Sequence, residues 1–116
     1  MGIQAEFLKE QQYNDPFLSK FVKIVEQNLQ EDWNSAKLAD LLSMSESNIR
    51  RKIKALTDMS PSIFIRRLRL KIAYQLIHST DLPIQQIAYQ VGFQSPAHFS
   101  RYFKEVFKQS PSSLRK

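Results

Sequence analysis

The sequence predicts an all-α fold of seven helices, arranged as two similar halves joined by one long helix, and three observations carry that expectation. Apolar residues keep helical period from Asp15 onward, and no segment sustains two-residue alternation between turn signals. All five prolines stand where helices would begin: Pro16, Pro61, Pro96 and Pro111 directly follow an Asp or Ser, and Pro83 has Asp81 just before it. Third, the stretch from Leu38-Ala39-Asp40-Leu41-Leu42-Ser43-Met44-Ser45 through Ile49-Arg50-Arg51-Lys52-Ile53-Lys54 to Ser60-Pro61 returns later in the chain. It comes back as Ile87-Ala88-Tyr89-Gln90-Val91-Gly92-Phe93 through Phe99-Ser100-Arg101-Tyr102-Phe103-Lys104 to Ser110-Pro111. Each copy has the pattern of a short helix, a tight turn and a second helix that carries basic residues away from its apolar stripe: a helix-turn-helix unit.

The elements follow in order. Asp15 and Pro16 open a first helix to about Gln30, with Leu18, Phe21, Val22, Val25 and Leu29 on one face. A Ser or Asp at the cap accepts from orphan amides, and proline at the first helical position loses no useful N–H. Ser35 is expected to cap a second, short helix with Leu38, Leu41 and Leu42 inward. Ser45 opens a third, with Ile49, Ile53 and Leu56 on one side. A longer helix from Pro61 to about His78 bears Phe64, Ile65, Leu68, Ile72 and Leu76. Ile84, Ile87, Ala88 and Val91 form the fifth, Phe99, Phe103, Val106 and Phe107 the sixth, and Leu114 belongs to a short seventh. Gly92 falls just after the fifth helix, where a left-handed residue turns the chain sharply. Ser43, its counterpart, must turn without that freedom, in a loop one residue shorter.

A chain of 116 residues is one domain by size, and 42% hydrophobic content suffices for a modest core without disulfides. No cysteine is present, which excludes disulfides and thiolate metal sites. His78 and His98 have no matching carboxylate pair, and there is no glycine-rich phosphate loop, so an enzyme, a metal site and a bound cofactor are all expected to be absent. The net charge of +6 is unevenly spread. Eight basic side chains (Arg50, Arg51, Lys52, Lys54, Arg66, Arg67, Arg69, Lys71) face one acid, Asp58, between residues 50 and 71, whereas seven of the eleven acids lie in the first forty residues. A local positive field of this kind suits a polyanion. No apolar run is long enough to span a bilayer. The polar stretch Gln4 to Asn14 has the composition of a linker or tail from an upstream segment.

Placing residues at about 100° intervals groups Ile49, Ile53 and Leu56, and leaves Ser47, Arg50, Arg51 and Lys54 on the far side. In the second copy Phe99, Phe103 and Val106 cluster, with Ala97, Arg101, Lys104 and Lys108 opposite. Arg51 thus corresponds to Arg101, Lys54 to Lys104, and Ser47 to Ala97. Arginine can donate two hydrogen bonds to guanine O6 and N7, or clamp a phosphate. Ala97 suits a thymine methyl, and Ser47 can donate or accept. The simpler reading is a solvated basic face; its repetition in both copies favours groove contact. The long helix, some eighteen residues at 1.5 Å rise, is expected to hold the two reading helices about one DNA turn apart.

Several residues have two readings. Arg66, Arg67, Arg69 and Lys71 suit either a solvated surface or phosphate and partner contact. Phe99, Phe103 and Phe107 have the spacing of a buried stripe, not of a base-stacking platform. Trp33 reads as a packing residue for the first two helices. His98 is placed to meet a base or phosphate, or simply to be exposed. Ser45 and Ser95 are caps, and helix N-termini also favour phosphate oxygens.

The run from Ile87 through Gly92-Phe93-Gln94-Ser95-Pro96-Ala97-His98-Phe99-Ser100-Arg101-Tyr102-Phe103-Lys104, with Ser110-Pro111, closely resembles the signature of AraC/XylS-type transcription regulators, and the likeness extends over about residues 15–116. The resemblance implies a homeodomain-like, seven-helix DNA-binding domain: a first helix-turn-helix at about 35–57, a linker helix at about 61–79 and a second helix-turn-helix at about 83–108. It places base contacts on Ser47, Arg50 and Arg51, and on Ala97, His98 and Arg101. Phosphate contacts are then expected from Ser45, Asn48 and Lys54, and from Ser95, Ser100 and Lys104. Ser47 and Ala97 are smaller than the residues relatives often use. Leu56-Thr57, Ser60-Pro61, Phe64-Ile65-Arg66 and Arg69-Leu70-Lys71 look like the C-terminal output domain of Bacteroidetes hybrid two-component regulators. That likeness implies promoter DNA as partner, with RNA polymerase and an upstream receiver or sensor domain as further candidates, in a cytoplasmic setting compatible with a membrane-anchored parent. The rival class is a module whose basic helices dock an acidic protein.

Overall fold

The computed structural model describes residues 15–115; the expected linker or tail at residues 1–14 lies outside them. Among the described residues the fold is all-helical: α1 (Pro16–Gln27), α2 (Ser35–Leu42), α3 (Glu46–Thr57), α4 (Pro61–Ser79), α5 (Ile84–Gln90), α6 (Pro96–Phe107) and α7 (Pro111–Leu114). Where the length suggested one modest core, there are two compact units, the first ending at Leu68 and the second beginning at Arg69, each with its own apolar cluster. No helix among the described residues is long and apolar enough to cross a membrane.

The helix starts are set by side-chain caps. Asp15, Asn34, Ser45, Ser60, Ser95 and Ser110 each accept from the main-chain N–H three residues on, at 2.9 to 3.4 Å. Each satisfies one of the amides that a helix start leaves unpaired. Two starts differ from expectation. Asn34, not Ser35, caps α2, because its amide oxygen takes the Lys37 N–H and leaves Ser35 as the first helical residue. Pro83 is itself the cap residue of α5, not its first helical residue, and offers no side-chain acceptor; Asp81 lies too far back to serve.

In the first unit Leu18, Phe21, Val22 and Val25 of α1 pack with Leu38 and Leu42 of α2, Ile49 and Ile53 of α3, and Phe64, Ile65 and Leu68 of α4. α1 stops at Gln27, short of the expected Gln30. Asn28 turns out of helical geometry and its side-chain amide donates back to the Ile24 carbonyl at 3.1 Å, while Leu29 still packs on the core from the following turn. Trp33 packs there too, with Nε1 donating to the Asn28 carbonyl at 3.0 Å. Leu41 and Leu56 were expected inside but are 52% and 44% exposed. Each lies in the final turn of its helix, where period still points a residue inward but the packed neighbours are Leu38 and Leu42 in one case, Ile49 and Ile53 in the other. Lys52 closes the outside of this unit, its ammonium 5.2 Å from the Phe17 ring centroid.

The second unit buries Leu70, Ala73 and Ile77 of α4, Ile87 and Ala88 of α5, Val91 and Phe93 of the turn, and Phe99, Phe103 and Phe107 of α6. The phenylalanine stripe is core: Phe103 lies 5.5 Å from Phe99 and 4.6 Å from Phe107 between ring centroids, and Tyr74 covers Phe107 at 4.8 Å. The stripe expected along α4 is corrected here. Ile72 and Leu76 are only partly buried, and Leu70, Ala73 and Ile77 replace them. The second half of α4 packs into a different core from its first half, so the spacing that begins at Phe64 does not carry through.

Arg115 fastens the end of α4. Its guanidinium donates to the carbonyls of Ile77 (Nη2, 3.2 Å), Thr80 (Nη2, 3.0 Å) and Leu82 (Nη1). A helix C-terminus leaves carbonyls without intrahelical partners, and a planar fork of donors can reach several together. The loop is held further by Thr80, whose hydroxyl donates to the Leu76 carbonyl at 2.7 Å and accepts from the Leu82 N–H at 3.3 Å.

Candidate nucleic-acid interface

In each unit a tight turn joins the two helices of the repeated pair, α2 to α3 and α5 to α6, and the two turns share their hydrogen bonds position by position. In the first, the Ser43 N–H donates to the Asp40 carbonyl at 3.3 Å and the Met44 N–H to the Ala39 carbonyl at 3.1 Å. In the second, the Gly92 N–H donates to Tyr89 at 3.1 Å and the Phe93 N–H to Ala88 at 3.0 Å. The outer bond of each pair, spanning five residues, marks a left-handed helix ending with an apolar residue tucked in behind it. Met44 and Phe93 are those apolar residues, one packed on each core. The second helix of each pair ends alike: Asp58 and Lys108 take left-handed φ of 61° and 63°, and their N–H groups donate to the carbonyls of Lys54 and Lys104, both at 2.9 Å.

This scaffold presents α3 in the first unit and α6 in the second. Ser47, Arg50, Arg51, Ala97, His98 and Arg101 are all exposed, on helices whose opposite faces bury Ile49 and Ile53, or Phe99, Phe103 and Phe107. Ser45, Lys54, Ser100 and Lys104 are also exposed; Asn48 and Ser95 are half-buried. Each expected site residue therefore lies on or beside the outward face of its helix, and the set from one unit is gathered on a single helix. Ser45 and Ser95 act as the caps, accepting from Asn48 N–H at 3.2 Å and His98 N–H at 3.4 Å. Among the described residues no group of three His, Asp or Glu side chains is placed to hold a metal ion.

The two outward faces differ in how their cations are held. Arg51 donates through Nη2 to the side-chain oxygen of Asn48. Arg101 has its guanidinium carbon 5.0 Å from the Tyr102 ring centroid, and its Nη2 donates to the Tyr102 hydroxyl at 3.4 Å. Lys54 reaches Asp58, with 3.2 Å between Nζ and Oδ1. At the place of Asp58 the second unit carries Lys108, so the carboxylate that Lys54 reaches has no counterpart at that position. Sequence reasoning did not single out Tyr102, Arg115 or the Asn48–Arg51 pair. The spacing of three residues between Asn48 and Arg51 was a usable signal for the pair; nothing local marks Arg115.

A family model described as a helix-turn-helix domain matches residues 38–116. A transcriptional regulator from Chromobacterium violaceum, described as of the AraC-type DNA-binding domain-containing proteins, is 31% identical over 86% of this chain and 89% of its own, with a TM-score of 0.81. The DNA-binding domain of the transcriptional factor AdpA, solved in complex with a target DNA, is 25% identical over 88% of this chain and 91% of its own, with a TM-score of 0.78. Histidine kinase P4 of Formosa agariphila is 40% identical over 103 residues, 88% of this chain but 8% of the relative. The chain spans well under half the length of the curated relatives it matches, 37% of the activator RhaS of Enterobacter sp. for example. This chain belongs to the AraC-type helix-turn-helix family, the DNA-binding domains of bacterial transcription regulators.

Proposed function

We propose that the chain binds double-stranded promoter DNA sequence-specifically, with α3 and α6 each entering the major groove in successive segments of one duplex. The observation that carries the reading is the repetition: two units with matching turns each expose an arginine and a lysine at equivalent places, Arg51 with Lys54 and Arg101 with Lys104. Chemistry assigns the roles. Arg50, Arg51 and Arg101 suit guanine edges, His98 and Ser47 can exchange hydrogen bonds with bases, and Ala97 fits a thymine methyl. Ser45, Asn48, Lys54, Ser95, Ser100 and Lys104 contact phosphates, with Ser45 and Ser95 at helix N-termini that favour anions. The relative AdpA, solved with its target DNA, supports DNA as the ligand.

The same reading extends to the whole protein. The likeness to a histidine kinase over a small fraction of that protein's length supports an output domain of a cytoplasmic signal-transduction regulator, residues 15–116 following a linker, with a receiver or sensor domain and RNA polymerase as further partners.

The test is the salt dependence of binding to a duplex. Neutralised phosphates release counterions, so log affinity should fall steeply and linearly with log salt concentration, by close to one unit of slope per phosphate contacted. A flat slope together with tight binding to an acidic protein would overturn the DNA reading in favour of a protein-docking module.

A further inference from the structure

We propose that Asn48 is a positioning residue that sets the orientation of Arg51 for base reading. The inference rests on the reading of α3 as a base-reading helix and adds what aims its arginine. Arg51 Nη2 donates to Asn48 Oδ1, a contact that spans one helical turn. The main chain of Asn48 is anchored by its N–H, which donates to the Ser45 cap hydroxyl at 3.2 Å, and the residue is half-buried.

The physical consequence is pre-organisation. A free arginine loses rotamer freedom when it docks on one base edge, and a side chain already held by one of its five donors loses less. One bond to Asn48 leaves guanidinium N–H groups for guanine O6 and N7. The amide is two-sided: Oδ1 accepts from Arg51 while Nδ2 keeps its protons for a phosphate oxygen. A single side chain then links the strand contact to the base contact in the first unit.

The second unit does this differently. His98 occupies the place of Asn48, and Arg101 lies against Tyr102, the next residue in the chain. Arg51 is held from the preceding helical turn and Arg101 from its immediate successor. Equivalent arginines are thereby aimed by unlike partners, and the two halves need not prefer the same base step.

The experiment measures base-pair preference of the full chain by competition among randomised duplexes, for wild type, R51A, N48A, N48D and the N48A/R51A double variant, with thermal unfolding of each as a control for folding. Asn48→Ala should reduce discrimination by about two- to tenfold at the base pair whose preference R51A abolishes, and should add little there in the double variant. Asn48→Asp keeps the acceptor, so discrimination should persist while its added negative charge weakens binding to every duplex. If N48A weakens all duplexes alike and additively with R51A, or if N48D loses the preference as N48A does, Asn48 does not position the arginine. If R51A leaves every base preference intact, the base-reading role of Arg51 fails and the positioning role with it, a signature distinct from the other two.

Discussion

Ser43 and Gly92 occupy the same place in two turns closed by the same pair of hydrogen bonds, yet Ser43 stands at φ 53° and Gly92 at φ 105°. A left-handed φ near 53° costs a residue with a Cβ about 1 to 2 kcal/mol, and 105° lies beyond the left-handed region open to such residues. Ser43→Gly should therefore stabilise the first unit by several tenths of a kcal/mol up to about 1, part of the relief being offset by glycine's greater freedom when unfolded. Gly92→Ala should destabilise the second by about 1 to 3 kcal/mol. Urea unfolding of both variants checks the pair; equal and opposite signs from those stated would refute the turn argument.

Arg115 should matter more to stability than its place just after the shortest helix suggests. Its donors reach the carbonyls of Ile77, Thr80 and Leu82, so its removal takes hydrogen bonds from three main-chain acceptors at once. Arg115→Ala is expected to destabilise the second unit by about 1 to 3 kcal/mol. Lysine cannot present a planar fork, so Arg115→Lys should recover little. Hydrogen exchange should show the loss at the amides of the second unit, near Thr80 and Leu82 first.

The exposed pair of Lys54 and Asp58 predicts a gain on mutation. Asp58 is 95% exposed on its side chain, so the ion pair is well solvated and holds Lys54 weakly. Asparagine tolerates the left-handed φ of 61° at this position as aspartate does. Asp58→Asn should leave unfolding unchanged and raise affinity for all duplexes by about 1.5- to fivefold, the range of a released surface ion pair. Titration at low salt measures it, and no change would mean that Lys54 does not approach a phosphate.

Helix number, order and most starts were legible in the sequence because period and capping are local. Serine or aspartate before Pro16, Pro61, Pro96 and Pro111 marks a boundary with no need of tertiary information. Misplaced residues have tertiary causes. Leu41 and Leu56 keep the period but lie where their helices end, and Ile72 and Leu76 continue a stripe that α4 abandons when it enters a second core. The outward faces of α3 and α6 were legible for the same reason as the helices: a buried Ile49–Ile53 or Phe99–Phe103 stripe leaves the opposite side outside. Side-chain partnerships were less so. Arg101 against Tyr102 depends on rotamers, and Arg115 reaches across more than thirty residues of sequence.

The most direct test of the account is base-resolved preference after removal of one arginine at a time. With wild-type chain, selection from randomised duplexes should yield two clusters of preferred base pairs about one helical turn, some 10 base pairs, apart. Arg51→Ala should erase preference in one cluster and Arg101→Ala in the other, each weakening the selected site by about 1 to 3 kcal/mol. Equal losses on selected and scrambled duplexes, with both clusters intact, would contradict base reading by these two helices.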